Sequence, residues 1–155
     1  MNPNIEIKIL DPRLNTWGLP RYQTPLAAAI DLFACIDAPM HIQPQQAAVL
    51  VPSGIALHMD SPEFCAVILP RSGLGHKKGL VLGNSVGLID ADYTAQCFIS
   101  VWNRNPPGSE AITIEPGERI AQMMFLPVVR PEFQVVSEFS RSSERGAGGF
   151  GSTGV

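Results

Sequence analysis

Apolar residues along this 155-residue chain fall into short runs, alternating with or bounded by polar ones, and none keeps a helical period for three turns. The runs are Ile5–Leu10, Ile30–Ala34, Ala47–Val51, Ile55–His58, Phe64–Leu69, Leu80–Leu82, Val86–Ile89, Phe98–Trp102, Ala111–Ile114 and Ile120–Val129. Their spacing of roughly 8–12 residues predicts an all-β sandwich or barrel. Ile5, Ile7 and Ile9 alternate with Glu6 and Lys8, the pattern of a half-buried strand. At most one short helix is expected, over Ser72–Lys78, where Gly73 and Gly75 weaken the signal. Gly83-Asn84-Ser85, between two apolar runs, reads as a tight hairpin turn. Near Ser140 the apolar runs give way to a polar stretch and then to glycine. The expected organisation is a body over 1–139 and a linker with a mobile tail over 140–155.

Composition narrows the picture. Hydrophobic residues make up 45% of the chain and charged residues only 16%, which fits a soluble domain with a sparsely charged surface or an extensive interface. A formal net charge of −3 argues against a nucleic-acid polymer as partner, since phosphate neutralisation needs a basic face. Cys35, Cys65 and Cys97 are odd in number, widely spaced and set among apolar neighbours, so buried reduced thiols are expected. There is no CxxC or HExxH, and the three histidines are scattered, which argues against a protein-ligated zinc site. No run approaches eighteen apolar residues and no basic segment precedes an apolar one at the N-terminus, so a cytoplasmic protein without membrane contact is expected.

The tail carries the most specific chemistry. Arg145 to Val155 holds five glycines, which order only when something stabilises them. Its backbone N–H groups can approach an anion closely, Ser152 and Thr153 add hydroxyl donors, and Arg145 adds a bidentate fork. A phosphate-loop fold is not expected, because that pattern needs a helix directly after it and lysine where Ser152 stands. Phe150 is suited to stacking on a base. A second candidate anion site is Pro70–Gly79, with Arg71, Ser72 and glycines after a strand-like run; alone it also reads as an exposed basic turn. Asp90 and Asp92 lie two apart, so in an extended conformation their carboxylates share a face and could orient a water or a metal, or simply be solvated. Asn84 can read a base edge or serve as a turn residue, and Tyr93 can press on a sugar or pack in the core.

These segments resemble, in order, the five motifs of the trimeric deoxyuridine triphosphate nucleotidohydrolase (dUTPase) family. They are Ala28–Ala34 (AAIDLFA), Pro70–Gly75 (PRSGLG), Gly87–Gln96 (GLIDADYTAQ), Gly117–Phe125 (GERIAQMMF) and Arg145–Gly154 (RGAGGFGSTG). Ala29 and Ala95 stand where the family usually has glycine. At positive φ, alanine would cost on the order of a kcal/mol.

The resemblance implies a distorted jelly-roll β-barrel, assembled as a homotrimer with active sites at subunit boundaries. It also implies hydrolysis of dUTP to dUMP and pyrophosphate, which lowers dUTP and supplies dUMP for thymidylate synthesis. Asp90 would hold the attacking water and contact the sugar 3′-hydroxyl. Arg71, Ser72, Gly73, Gln122 and Arg145 would handle phosphates. Mg²⁺ would be bound mainly by phosphates and waters, with Asp31 in its outer shell. Asn84 would read uracil, Tyr93 would exclude a ribose 2′-hydroxyl, and Phe150 would close over the base. Leu88, Ile89, Phe98, Ser152 and Thr153 complete the substrate-binding set. A dCTP deaminase, a non-catalytic family member and a purely structural trimeric β-protein are the competing readings. Asn84 with the third motif favours uracil over the first, and the tail argues against the last.

Overall fold

The computed structural model describes residues 4–143 and Gly146. Ten strands form: β1 (Ile5–Ile9), β2 (Ile30–Phe33), β3 (Met40–Ile42), β4 (Val49–Met59), β5 (Phe64–Pro70), β6 (Leu80–Leu82), β7 (Gly87–Ile89), β8 (Gln96–Asn103), β9 (Ile112–Ile114) and β10 (Arg119–Pro127). One four-stranded sheet runs β1-β4-β8-β6, a second runs β2-β10-β5-β7, and β3 pairs with β9; every pairing is antiparallel. The architecture is the expected all-β jelly roll. Its core lies between the two large sheets: Val51, Ile55, Leu57, Ile99 and Val101 from the first meet Ile30, Leu32, Ile68, Ala121 and Met123 from the second.

The runs Ala47–Val51 and Ile55–His58 form one long strand, β4, whose pairing with β8 shifts register between Pro52 and Ala56. Pro52 lacks an N–H for the ladder, and Gly54 bends the strand at φ 73°. A Cβ on Gly54 would lie 2.5 Å from Cys35 Sγ, so only glycine fits. The buried Ser53 hydroxyl donates to the Cys97 carbonyl (2.6 Å) across the same bulge. Strand β3 gave no usable signal; it is three residues long and pairs only with the equally short β9.

Among the described residues helix is scarcer than strand but occurs twice, where at most one segment was expected. Leu74–Lys78 is a single π-helical turn within the expected region, ending on Gly79 at φ 81°. Leu14–Trp17 (α1) is one α-turn, too short to show periodicity, with Leu14 fully buried. Gly83-Asn84-Ser85 is not a hairpin. Strand β6 pairs with β8 in one sheet and β7 with β5 in the other, so the turn crosses between sheets. Apolar periodicity locates strands and turns but does not choose partners.

An ion pair fastens the entry to α1. Asp11 accepts from the Arg13 N–H (2.9 Å), Nε (3.0 Å) and Nη2 (2.6 Å), and Arg13 reaches the Ile36 carbonyl and Asp37, each at 3.0 Å, while lying 4.9 Å over Trp17. Hydrogen bonding from Arg13 holds the Asp11 carboxyl below its ordinary value. A lowered folded-state pKa contributes stability that is fully present above the unfolded value, about 4, and is lost as pH falls through the folded one. Asp11→Asn is therefore expected to lower the unfolding midpoint at neutral pH and to shrink its further fall below pH 4, read by urea melts across pH 2.5–7. An acid limb as steep as the parent's would refute the assignment.

All three cysteines are buried free thiols, as expected. Burial, aided by the Asp11 charge, pushes Cys35 up to about 12, and burial pushes Cys97 to about 11. Both are thiols, not thiolates, at neutral pH. After Pro127, residues 129–143 are all exposed. Val128 N–H donates to the Glu63 carbonyl (2.7 Å), and Arg130 reaches the Pro62 carbonyl, tethering the start of this stretch.

Candidate active site

Asp31 lies in β2 between the buried Ile30 and Leu32, so strand alternation turns its carboxylate to the outer face of the second sheet. There it shares a row with Gln122 of β10, which in turn stands opposite Leu69 of β5. Arg71, just past the end of β5, donates from Nε to Asp31 Oδ1 (3.1 Å), and Arg119 donates from Nη1 to Asp31 Oδ2 (3.0 Å). Arg71 Nη1 also donates to the Arg119 carbonyl (3.0 Å), and Gln122 Nε2 to the Pro70 carbonyl (2.9 Å). The Asp31 side chain is only 13% exposed, while Arg71 and Arg119 are 34% and 45% exposed. Two guanidinium groups against one carboxylate leave an excess positive charge facing outward, with donors to spare for a polyanion. Ser72 and Gly73 follow Arg71; both are exposed, and nothing lies within 4 Å of a Cβ placed on Gly73.

Arg119 escaped the sequence reading. Its signal was present, since cations are scarce in this chain and Arg119 stands three residues before Gln122 in the fourth motif. Asp31 alone does not make a protein metal site: among the described residues no group of three or more His, Cys, Asp or Glu could hold an ion. Both its oxygens accept from arginine, so a hard cation at this cluster would be held by substrate and water rather than by Asp31 directly.

A second group surrounds β7. Asn84 is exposed in the crossing turn, whose positive φ falls on Ser85 (64°) rather than on Asn84. Gly87 lies tight on β5, since an added Cβ would approach Ile68 Cβ to 3.1 Å. Leu88 is 63% exposed, Ile89 partly buried, and Tyr93 and Phe98 each 40% exposed. The Tyr93 hydroxyl donates to the Gln96 carbonyl (2.9 Å), which fixes the ring, and Tyr93 N–H donates to the Asp90 carbonyl (3.1 Å). Asp90 to Tyr93 is therefore a turn, not an extended segment, and the strand argument for Asp90 and Asp92 does not hold. Both still border one cavity of about 680 Å³, together with His58, Asp60 and Arg130. Neither Ala29 nor Ala95 has a positive φ, so alanine carries no left-handed strain at either position.

Within one chain the Asp90–Tyr93 end of the second group stands apart from the cationic cluster, whereas β7 runs from the Asn84 turn at the Arg71 end of β5. Ile89 is registered with Ala66 of β5, whereas Arg71 stands five positions further along, about 16 Å at the rise of a strand. Asp90, beyond Ile89, sits toward the opposite end of β5 from the Asp31–Arg71–Arg119–Gln122 cluster. A larger cavity of about 1000 Å³, lined by Ile5, Ile7, Tyr22, Ile30, Phe64 and Phe125, contains no residue of either group. Arg145, Phe150, Ser152 and Thr153 lie outside the described residues.

The dUTPase family matches residues 15–154, and the chain belongs to that family. It is 58% identical to the deoxyuridine 5'-triphosphate nucleotidohydrolase of Xanthomonas campestris pv. campestris (strain B100), covering 100% of this chain and 99% of that one. The Xanthomonas oryzae pv. oryzae (strain MAFF 311018) protein of the same name is also 58% identical, over 98% of this chain and 96% of its own length. Among solved structures, a mutant of the Staphylococcus bacteriophage 80alpha dUTPase with dUpNHpp superposes with a TM-score of 0.83 at 27% identity, over 98% of this chain and 99% of that one.

Proposed function

We propose that the protein is a dUTP diphosphatase, active as a homotrimer in the cytoplasm. In this reading a water held by Asp90 attacks the α-phosphorus in line, the bond to the bridging oxygen breaks, and pyrophosphate leaves with dUMP as the other product. The product would feed thymidylate synthesis while dUTP is lowered. The observation that carries the reading is the division of the site along β5. A cationic cluster suited to a triphosphate lies at one end and the Asp90–Tyr93 turn at the other, which supports a site shared between copies.

The surface supports assembly. On the outer face of the second sheet the exposed Leu88 and the partly exposed Met124 flank the buried Val67 in one apolar row. Val129, Phe133, Val135 and Phe139 are each at least 87% exposed, with no core of their own chain to join. The buried free thiols suit a reducing compartment, and among the described residues no helix is long and apolar enough to cross a membrane.

Within the assembled site Arg71, Ser72, Gly73, Arg119 and Gln122 would bind the triphosphate, joined by Arg145, Ser152 and Thr153 of the tail. When bound, Mg²⁺ would add neutralisation of the phosphate charge, with Asp31 orienting its water shell. Asn84 and the backbone of β7 would present the complement of uracil's acceptor–donor–acceptor edge, while Leu88, Ile89 and Phe98 would border the nucleoside. Cytosine would leave buried polar groups unpaired. Thymine would be refused sterically by the close packing of Gly87, and a ribose by the anchored Tyr93 ring. Phe150 would cover the base and exclude water.

Pyrophosphate release measured in parallel on dUTP, dCTP and dTTP, with sedimentation of the active species, tests the reading. Turnover of dUTP alone by a trimer is expected. Preference for dCTP, no turnover of any of the three, or a fully active 16.7 kDa monomer would overturn it.

A further inference from the structure

Arg104 belongs to neither half of the site, yet it reaches toward one of them. It follows β8 in the segment Asn103-Arg104-Asn105, whose backbone is unusually well held. The buried Asn103 side chain donates to the Ile42 carbonyl (2.9 Å) and accepts from the Asn105 N–H (3.0 Å), while Gln45 Nε2 donates to the carbonyls of Arg104 (2.9 Å) and Asn105 (3.0 Å). From this base Arg104 grips the π-helical turn 74–78. Nη2 and Nε donate to the Gly75 carbonyl (3.1 and 3.3 Å), and Nη2 also approaches the His76 carbonyl (3.4 Å). Arg104 N–H donates to the Gly79 carbonyl (3.0 Å), and Asn105 Nδ2 donates to the Lys78 carbonyl (2.9 Å). Gly79 has φ 81°, and the Asn105 side chain fills the space a Cβ would need there. Carbonyls that a single turn leaves unpaired are thus satisfied by Arg104 and Asn105, just past β8.

Gly75 is the connecting residue. It is buried, and its own N–H donates to the Arg71 carbonyl (2.8 Å). One residue therefore accepts from Arg104 on one side and holds the Arg71 backbone on the other, and the Arg71 side chain in turn grips Asp31. We propose that Arg104 is a positioning residue: by clamping the Gly75 carbonyl it sets the Arg71–Ser72–Gly73 segment in the geometry that receives the phosphates. The inference rests on the phosphate-binding reading of Arg71. A two-donor fork is needed to hold adjacent carbonyls, so lysine is not an equivalent.

The test compares the full-length parent with Arg104→Ala and Arg104→Lys. Steady-state dUTP hydrolysis is measured with and without ethylguanidinium, and the Arg71 Nε–H resonance is followed by NMR. Both variants are expected to lose at least about tenfold in kcat with KM within about threefold, as for a residue that places groups acting in the transition state. Ethylguanidinium is expected to restore part of the Arg104→Ala activity, and the resonance to shift or broaden in both variants. Parental kcat, or lost kcat with an unmoved resonance, would overturn the proposal. If Arg104→Ala does not fold, Arg104→Lys decides by the same criteria. If the parent itself does not hydrolyse dUTP, the functional reading fails, while the resonance still reports whether Arg104 positions Arg71.

Discussion

Asp90→Asn is expected to reduce dUTP turnover by at least about a thousandfold, within the range that removal of a positioned general base produces and about 4 kcal/mol in barrier height. The amide keeps the size and one acceptor oxygen of the carboxylate but cannot take a proton from water. Among the described residues no side chain pairs with the Asp90 carboxylate, and the residue is exposed at the end of β7. The turn that carries it is held through its carbonyl, by the Tyr93 N–H, and by the Tyr93 hydroxyl on the Gln96 carbonyl. The substitution touches none of these bonds, so the thermal midpoint should move little and nucleotide affinity should stay within about tenfold. Turnover, a non-hydrolysable dUTP analogue titrated by calorimetry, and a melting curve together decide the role. Near-parental hydrolysis would place the water-holding group elsewhere, and lost stability without a specific loss of catalysis would make Asp90 structural.

Deleting Arg145 to Val155 is expected to slow turnover at least about a hundredfold, roughly 2.7 kcal/mol, while assembly and melting stay close to those of the parent. The reason lies in composition: five glycines in eleven residues supply almost no apolar surface for a core, but many N–H donors, two hydroxyls and one guanidinium for an anion. Removing them leaves the Arg71–Arg119–Gln122 cluster and the Gly83–Ser85 turn intact, so partial affinity should persist. The loss should appear in the chemical step, where alignment of the triphosphate and exclusion of water matter most. Phe150→Ala alone should lose less, because the phosphate donors remain. Unchanged turnover in the truncated chain would make the tail a passive extension.

The sequence by itself determined the class of fold and, through the resemblance of its motifs, which residues to expect at the site. Strand positions could be read because a half-buried strand needs alternation and a buried one needs a short apolar run, and both signals are local: Ile5–Ile9, Phe64–Pro70 and Leu80–Leu82 needed no partner to be seen. Asp31 and Gln122 were named only through the resemblance of their segments to the family's motifs, and the structure brings them together with Arg71 on one outer sheet face. What tertiary structure alone decided was pairing. Gly83-Asn84-Ser85 looked like a hairpin because its flanks are strands, yet those strands belong to different sheets, a choice set by residues such as Trp102 and Val67 far along the chain. Arg119 had only the scarcity of cations and its place in the fourth motif to mark it, and Arg104 had no local signature, because their roles depend on a carboxylate and a carbonyl that lie 88 and 29 positions away in sequence. The separation of Asp90 from Arg71 is likewise a property of the β5–β7 register. Hydrophobic patterning says which residues will be buried. Which polar groups then face one another is settled only when strands from distant parts of the chain lie side by side.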